Sequence, residues 1–258
     1  MNRTPHRIFP VHFAPDKKLV HIVVKLSDAP GSYSSILESL RTKVNLIGTA
    51  TYTLSDGTAI FSGFAEALEA TGTGEGLREL ILKSGSALDA QVREGRDGLL
   101  IDTFHRGFTV DGDRYVLMRQ GELVKMFDHV AQLLGSGGEA LLYEEGVATG
   151  RWSADTAASR YGAGRVRAQA KEFNHLMTAE GMGDVDGQNG PGDGEFTVTV
   201  TECFECTGKP ASRSGCSFMR GYLVGAAESI FGKKYACAEE KCSLKGKNSC
   251  EFRLTPKT

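Results

Sequence analysis

Residues 237–250 read CAEEKCSLKGKNSC, three cysteines and two adjacent glutamates near the end of a chain that is otherwise poor in cysteine. All six cysteines of the 258-residue chain lie between Cys203 and Cys250. A disulfide framework would be spread through the fold, and a chain that is 40% hydrophobic has a core large enough to stand without such staples. Clustered thiols in this setting point to a metal. The opening MNRTPHRIFPVHFAPDKK has neither an apolar core segment nor a small-residue cleavage site, and nowhere does the chain run apolar for the length of a membrane span. The expectation is a reducing, cytoplasmic setting with no membrane partner.

A formal net charge of -2 gives no general attraction to nucleic acid. Lys233, Lys234, Lys241, Lys245 and Lys247 form a local basic group, expected to balance the charge of the thiolates around them rather than to bind nucleic acid.

Working outward, the chain reads as two units after a tail over 1–17. LVHIVVKL is a β-rich run ended by SDAPG, whose Pro30 and Gly31 stop a strand and open a helix. SYSSILESLRTK places Tyr33, Ile36, Leu37 and Leu40 on one helical stripe. NLIGTATYTL and TAIFSGFAEAL are two strands joined at Ser55-Asp56-Gly57, which suits a tight hairpin. A helix in GEGLRELILKSG and a strand in LDAQVRE complete a β-α-β-β-α-β order over 18–95, a ferredoxin-like α+β sandwich. From 96 onward a short hairpin with Asp111-Gly112 at its tip precedes three helices, in ELVKMFDHVAQLLG, GEALLYEEGVATGRW and GRVRAQAKEFNHLMTAEGMG. GQNGPGDG has the composition of a surface loop. A strand in EFTVTVTECFE, a helix in SGCSFMRGYLVGAAESIFG and two strands around Lys245-Gly246-Lys247-Asn248 close the chain. Gly221 and Gly225, four apart, leave room for a second backbone, in the interior or at a dimer interface.

The first unit resembles the ACT family of small regulatory domains, through Asp28-Ala29-Pro30-Gly31 at the first strand-helix turn and Asn45-Leu46 entering the second strand. The resemblance implies an amino-acid effector site involving Asp28, Pro30, Gly31 and Asn45, built between paired copies at free helix N–H groups.

Spacing supplies three metal ligands: Cys242 and Cys250 flank the last turn, and Cys216 opens the glycine-bearing helix, where the dipole favours a thiolate. The fourth is open between Cys237, Glu239 and Glu240; alternation along a strand sets Cys237 and Glu239 on one face and removes only Glu240. The stretch from Cys216 to Cys250, with Gly221-Tyr222, Gly225 and Gly232 between, resembles the 4-vinyl reductase, or hydrocarbon-binding, domain, and the likeness extends less specifically over 96–258 through DRYVLM and YEEGVATGR. In phenol-sensing members of that family, which are transcription activators, zinc is held by a Cys before the Gly-Tyr helix, a Glu three residues before a second Cys, and a third Cys eight residues later. The resemblance therefore implies a structural zinc on Cys216, Glu239, Cys242 and Cys250. Three thiolates and a carboxylate suit zinc, with no position left for water. Cys203 and Cys206, a CxxC pair with no second pair to complete another site, read as incidental or as a redox-sensitive dithiol.

The same resemblance implies a cavity for a small apolar or aromatic ligand, lined here by Trp152, Met177, Phe196, Val198, Phe218 and Tyr222. Met177 and Val198 stand where the phenol sensors grip a hydroxyl with His and Trp, which argues against the same grip. No nucleotide, metalloprotease or serine-hydrolase motif is present, and His105, His129 and His175 have no partner visible in sequence. The expectation is a ligand-sensing regulatory protein that is not an enzyme and works as a homodimer. The competing reading is an enzyme or carrier for a hydrophobic metabolite using His105 or the CxxC dithiol.

Overall fold

The computed structural model describes residues 10–68, 72, 74–110, 112–162, 166–190, 192–206 and 215–257. Residues 1–9 of the expected tail, Asp111 of the expected hairpin tip and Pro191 of the expected loop lie outside them. The chain is a mixed α/β protein whose two compact units are Met1–Tyr115 and Val116–Thr258.

In the first unit, strands β2 (Leu19–Ser27), β3 (Val44–Thr53), β4 (Thr58–Ala67) and β5 (Ala87–Glu94) form an antiparallel sheet of order β3-β4-β2-β5. Helices α1 (Ser32–Leu40) and α2 (Gly74–Leu82) complete the β-α-β-β-α-β order read from the sequence. Each helix buries a short apolar stripe, Ile36 and Leu40 on α1 and Leu77 and Ile81 on α2, against Ile22, Val24, Leu26, Phe61 and Ala90 of the sheet. Two departures extend this unit. Strand β1 (Val11–Phe13), expected as tail, pairs antiparallel with β6 (Leu99–Ile101), and β7 (Phe108–Val110) pairs with β8 (Asp113–Tyr115), so the compact unit runs past 95 to Tyr115.

In the second unit, helices α3 (Gln120–Leu134), α4 (Ser136–Tyr161) and α5 (Val166–Ala179) precede strands β9 (Asp184–Asn189) and β10 (Phe196–Thr201). Helix α6 (Ser217–Phe231) and strands β11 (Tyr235–Lys241) and β12 (Ser249–Pro256) follow, and the antiparallel sheet has the order β11-β12-β10-β9. Part of GQNGPGDG is thus strand: Gly187, Gln188 and Asn189 pair with β10 at the sheet edge.

Helix α6 is the centre of this unit, with Met219, Tyr222, Leu223, Val224, Ala226 and Ala227 all buried. Its glycines meet α4: a Cβ added at Gly221 would strike the Tyr143 carbonyl, and one at Gly225 the Val147 carbonyl. The fit is reciprocal, since Cβ atoms at Gly146 and Gly150 of α4 would strike the carbonyls of Phe218 and Tyr222. The close approach anticipated for Gly221 and Gly225 is therefore satisfied inside one chain, by backbone packed on backbone.

Candidate metal centre and ligand cavity

Three segments bring the cysteines together. Strand β12 alternates, with Cys250, Phe252 and Leu254 buried, so Cys250 faces the core opposite Val200 of β10. Just beyond β10, Glu202 adopts a left-handed φ of 56° and turns the chain into Cys203-Phe204-Glu205-Cys206. That turn is fastened to α6 by Glu205, which is 1% exposed: its carboxylate accepts the backbone amides of Phe218 at 3.3 Å and Met219 at 2.8 Å. Cys216, the residue before the helix, is thereby held against the CxxC turn.

Strand β11 delivers the remaining donors through a bulge. Glu239 pairs with Phe252 and Lys241 with Glu251, leaving Glu240 as the extra residue. The bulge puts Lys241 on the outer face, where it pairs with Glu251 at 2.7 Å, and returns Cys242 to the inner face beside Glu239. Glu240 pairs outward with Arg253 at 2.6 Å. Spacing alone leaves Cys237 and Glu239 level; of the two, only Glu239 joins the thiols, and its Oε2 accepts the Cys216 amide at 3.0 Å.

The result is a buried group of five thiols and a carboxylate. Cys206 Sγ lies 3.0 Å from Cys216, 3.4 Å from Cys250 and 3.7 Å from Cys242, and Cys203 is 3.9 Å and Cys250 3.8 Å from Cys216. Two quartets have donor atoms all within 4.8 Å of one another: Cys203, Cys206, Cys216 and Cys250, and Cys216, Glu239, Cys242 and Cys250. The CxxC pair, read from sequence as incidental, stands among the others. Hydrogen bonds from Cys203 and Cys216 draw the Cys206 thiol down to about 7, and Cys250 is held low by the same kind of donation from Cys203, Cys206 and Cys216. Burial pushes Cys242 up, and pushes Cys237, outside the group, up to about 12. All six cysteines are free thiols. Two of the lysines expected to balance this charge are paired elsewhere, Lys241 with Glu251 and Lys234 with Glu228 at 3.1 Å.

A half-open cavity of about 730 Å³ lies between α5 and the β9–β10 edge of the sheet. Phe196 and Val198 line it as expected, joined by Val185 and Phe231. Lys171, Asn174, His175, Asp186 and Gln188 also line it, so the wall is more polar than the sequence implied. His175, on a different helical face from Met177, is the residue that reaches the cavity. Met177 is fully buried in the core. Phe218 and Tyr222 pack instead with other rings, Phe218 at 4.9 Å from Phe127 and Tyr222 at 6.0 Å from Phe173. Trp152 lines no cavity: it is 65% exposed, because it projects from the side of α4 opposite Gly146 and Gly150.

In the first unit, Asp28, Pro30, Gly31 and Asn45 are exposed, and they do not converge within one chain. Ser27, beside the turn, pairs with Thr58, whereas Asn45 pairs with Glu66 at the far end of β4. A cluster that the sequence did not reveal lies under β2: His105 Nδ1 is 2.8 Å from Asp102, whose other oxygen accepts the amides of Phe104 and His105, and buried His21 contacts Ser62 Oγ at 2.9 Å. Burial pushes His21 down to about 4, against the pull of Asp102.

The 4-vinyl reductase domain family matches this chain over residues 196–256, the stretch that carries every member of the thiol group. Among solved structures, the chain is similar to the phenol-responsive sensory domain of the transcription activator PoxR with phenol, at 19% identity over 57% of this chain and 79% of that one, with a TM-score of 0.50. It is also similar to a trafficking protein particle complex subunit 3 from Naegleria fowleri covalently bound to palmitic acid, at 18% identity over 54% and 95%, TM-score 0.45. A vinyl-4-reductase family protein from Methanocaldococcus jannaschii is 18% identical over 57% and 85%, TM-score 0.36. No curated protein matches. The chain thus contains a 4-vinyl reductase domain, in a fold shared with a phenol-responsive sensory domain. No helix among the described residues is long and apolar enough to cross a membrane.

Proposed function

We propose that this protein is a ligand-sensing regulatory protein, not an enzyme, whose second unit binds a small apolar or aromatic molecule. The observation that carries this reading is the cavity between α5 and β10, in a 4-vinyl reductase domain whose fold is that of a phenol-responsive sensory domain. Phe196, Val198 and Phe231 offer the apolar wall, and Lys171, Asn174 and His175 offer partners for a polar end of the ligand.

Zinc on Cys216, Glu239, Cys242 and Cys250 has a structural role in this reading: it ties the last hairpin to the start of α6. The donor chemistry fits, since three thiolates and a carboxylate converge on one buried point. The first unit, over 18–95, has the strand order expected of an ACT-like regulatory domain. An amino acid bound near Asp28, Pro30 and Gly31 of one copy and Asn45 of another, in a homodimer, accounts for the separation of those residues within a chain. Ligands at the two units then bias one dimer arrangement, with a coupling of about 1–3 kcal/mol.

The test is a thermal-shift screen of the full chain with phenol, cresols, toluene and the common amino acids, followed by sedimentation with any hit. At least one aromatic compound is expected to raise the melting temperature, and Phe196→Trp, which fills the cavity, to abolish that shift. A panel with no effect on a protein that sediments as a monomer throughout would sink the sensor reading.

A further inference from the structure

The two donor quartets overlap in two residues, Cys216 and Cys250. We infer that the thiol group holds two zinc ions bridged by the Cys216 and Cys250 thiolates, with Cys203 and Cys206 completing one tetrahedron and Glu239 and Cys242 the other. The inference rests on the zinc reading above and adds a second ion to it.

The donor count is the first argument. Two four-coordinate ions that share two bridging thiolates need six residues, and six converge here: Cys203, Cys206, Cys216, Glu239, Cys242 and Cys250. A single ion on Cys216, Glu239, Cys242 and Cys250 leaves Cys203 and Cys206 pressed against its ligands with nothing to hold, since zinc in a structural site takes four donors.

Distances agree. Zinc–sulfur bonds of about 2.3 Å in a tetrahedron set neighbouring sulfurs about 3.8 Å apart. The bridging pair, Cys216 and Cys250, is separated by 3.8 Å, and Cys203 and Cys216 by 3.9 Å. Cys206 stands closer, 3.0 Å from Cys216 and 3.4 Å from Cys250, on the side of the bridge that the second ion would occupy.

Charge does not oppose the second ion. A divalent cation added together with two further thiolates leaves the net charge of the centre as it was. The turn bearing those thiolates is also fixed independently of any metal, because buried Glu205, between the two cysteines, is bonded to the first turn of α6. Cys203 and Cys206 are thus placed, not merely near. The ions are structural, with every position filled by protein, and they join the end of β10, the start of α6 and the last hairpin at one point.

Native mass spectrometry and elemental analysis of the full chain, produced in zinc-replete medium, test this directly. Two zinc ions per chain are expected, falling to one in Cys203→Ser/Cys206→Ser and to one in Glu239→Gln/Cys242→Ser. The wild-type count is informative even if a variant fails to fold, and cadmium-substituted wild-type protein should give two cadmium resonances. One zinc per wild-type chain overturns the inference and leaves the single-ion reading intact; none overturns both. Two zinc ions retained in Cys203→Ser/Cys206→Ser, or iron with acid-labile sulfide in the wild type, also overturns it.

Discussion

Glu205 Oε2 accepts the backbone amide of Met219 at 2.8 Å, so a carboxylate from the CxxC turn caps a helix that begins well beyond it in the chain, at Ser217. The helix's own preceding residue, Cys216, makes no side-chain cap, and a buried acid at a helix start is favoured by the dipole. Glu205→Ala leaves two amides at the start of α6 without their acceptor, which should cost about 1–3 kcal/mol. Glu205→Gln keeps one acceptor oxygen and should cost less. Urea unfolding of the full chain reads both; an unchanged midpoint for Glu205→Ala contradicts the capping role.

Gly221→Ala and Gly225→Ala should each destabilise the chain by about 1–3 kcal/mol or more, because each new methyl would meet a carbonyl of α4 in a backbone contact that cannot shift like a side chain. Gly121→Ala, in the first turn of α3 with nothing within 4 Å of the added carbon, should instead stabilise by about 0.5–1 kcal/mol. The opposite signs make the pair decisive in one set of melting curves.

Much of this is legible in the sequence. The apolar runs and the Asp56-Gly57 turn specify the first sheet, and the alternation of Cys250, Phe252 and Leu254 specifies a half-buried strand. What stays hidden depends on contacts distant in sequence. Strand β1 is three residues that only pairing with Leu99–Ile101 makes visible. Strand β9 is polar with one buried residue, Val185, and owes its conformation to β10. Glu239 and Cys242 share a face at a spacing of three, which a regular strand forbids; the bulge at Glu240 allows it. Cys203 and Cys206 find no second pair in the sequence, but that count assumes each cysteine serves one ion. Trp152 suits a cavity by its size, yet Gly146 and Gly150 turn the other side of α4 inward.

His21 predicts a pH dependence in the first unit. Its folded-state pKa of about 4 lies below the ordinary 6.5, because burial among Phe64, Phe104 and His105 outweighs the attraction of Asp102. The unfolded chain therefore takes up the proton first: the stability involved is complete above pH 6.5 and is lost as pH falls from 6.5 toward 4. Asp102, whose carboxyl is held below its ordinary value by hydrogen bonds from Phe104 and His105 despite burial, adds its own loss only at more acid pH. His21→Gln should keep a polar contact to Ser62 and flatten the curve between pH 6.5 and 4. Urea midpoints measured across that range, with the same slope in variant and wild type, would contradict the assignment.

Metal removal should act on the second unit through three segments at once. If zinc binds only the folded chain, withdrawing it from a free concentration about a thousandfold above its dissociation constant costs about 4 kcal/mol. The loss should appear where the donors are anchored: in the hairpin joining β11 and β12, where the Ser243 amide points to Cys250 Sγ at 3.4 Å, and in the first turn of α6, where Cys216 and Glu239 meet. Hydrogen exchange before and after chelation should show amides 242–250 and 216–220 losing protection, while those of β2 and β4, in a separate core, stay protected. Uniform protection in both states would mean that hydrophobic packing and the Glu205 cap hold α6 and the hairpin together without an ion.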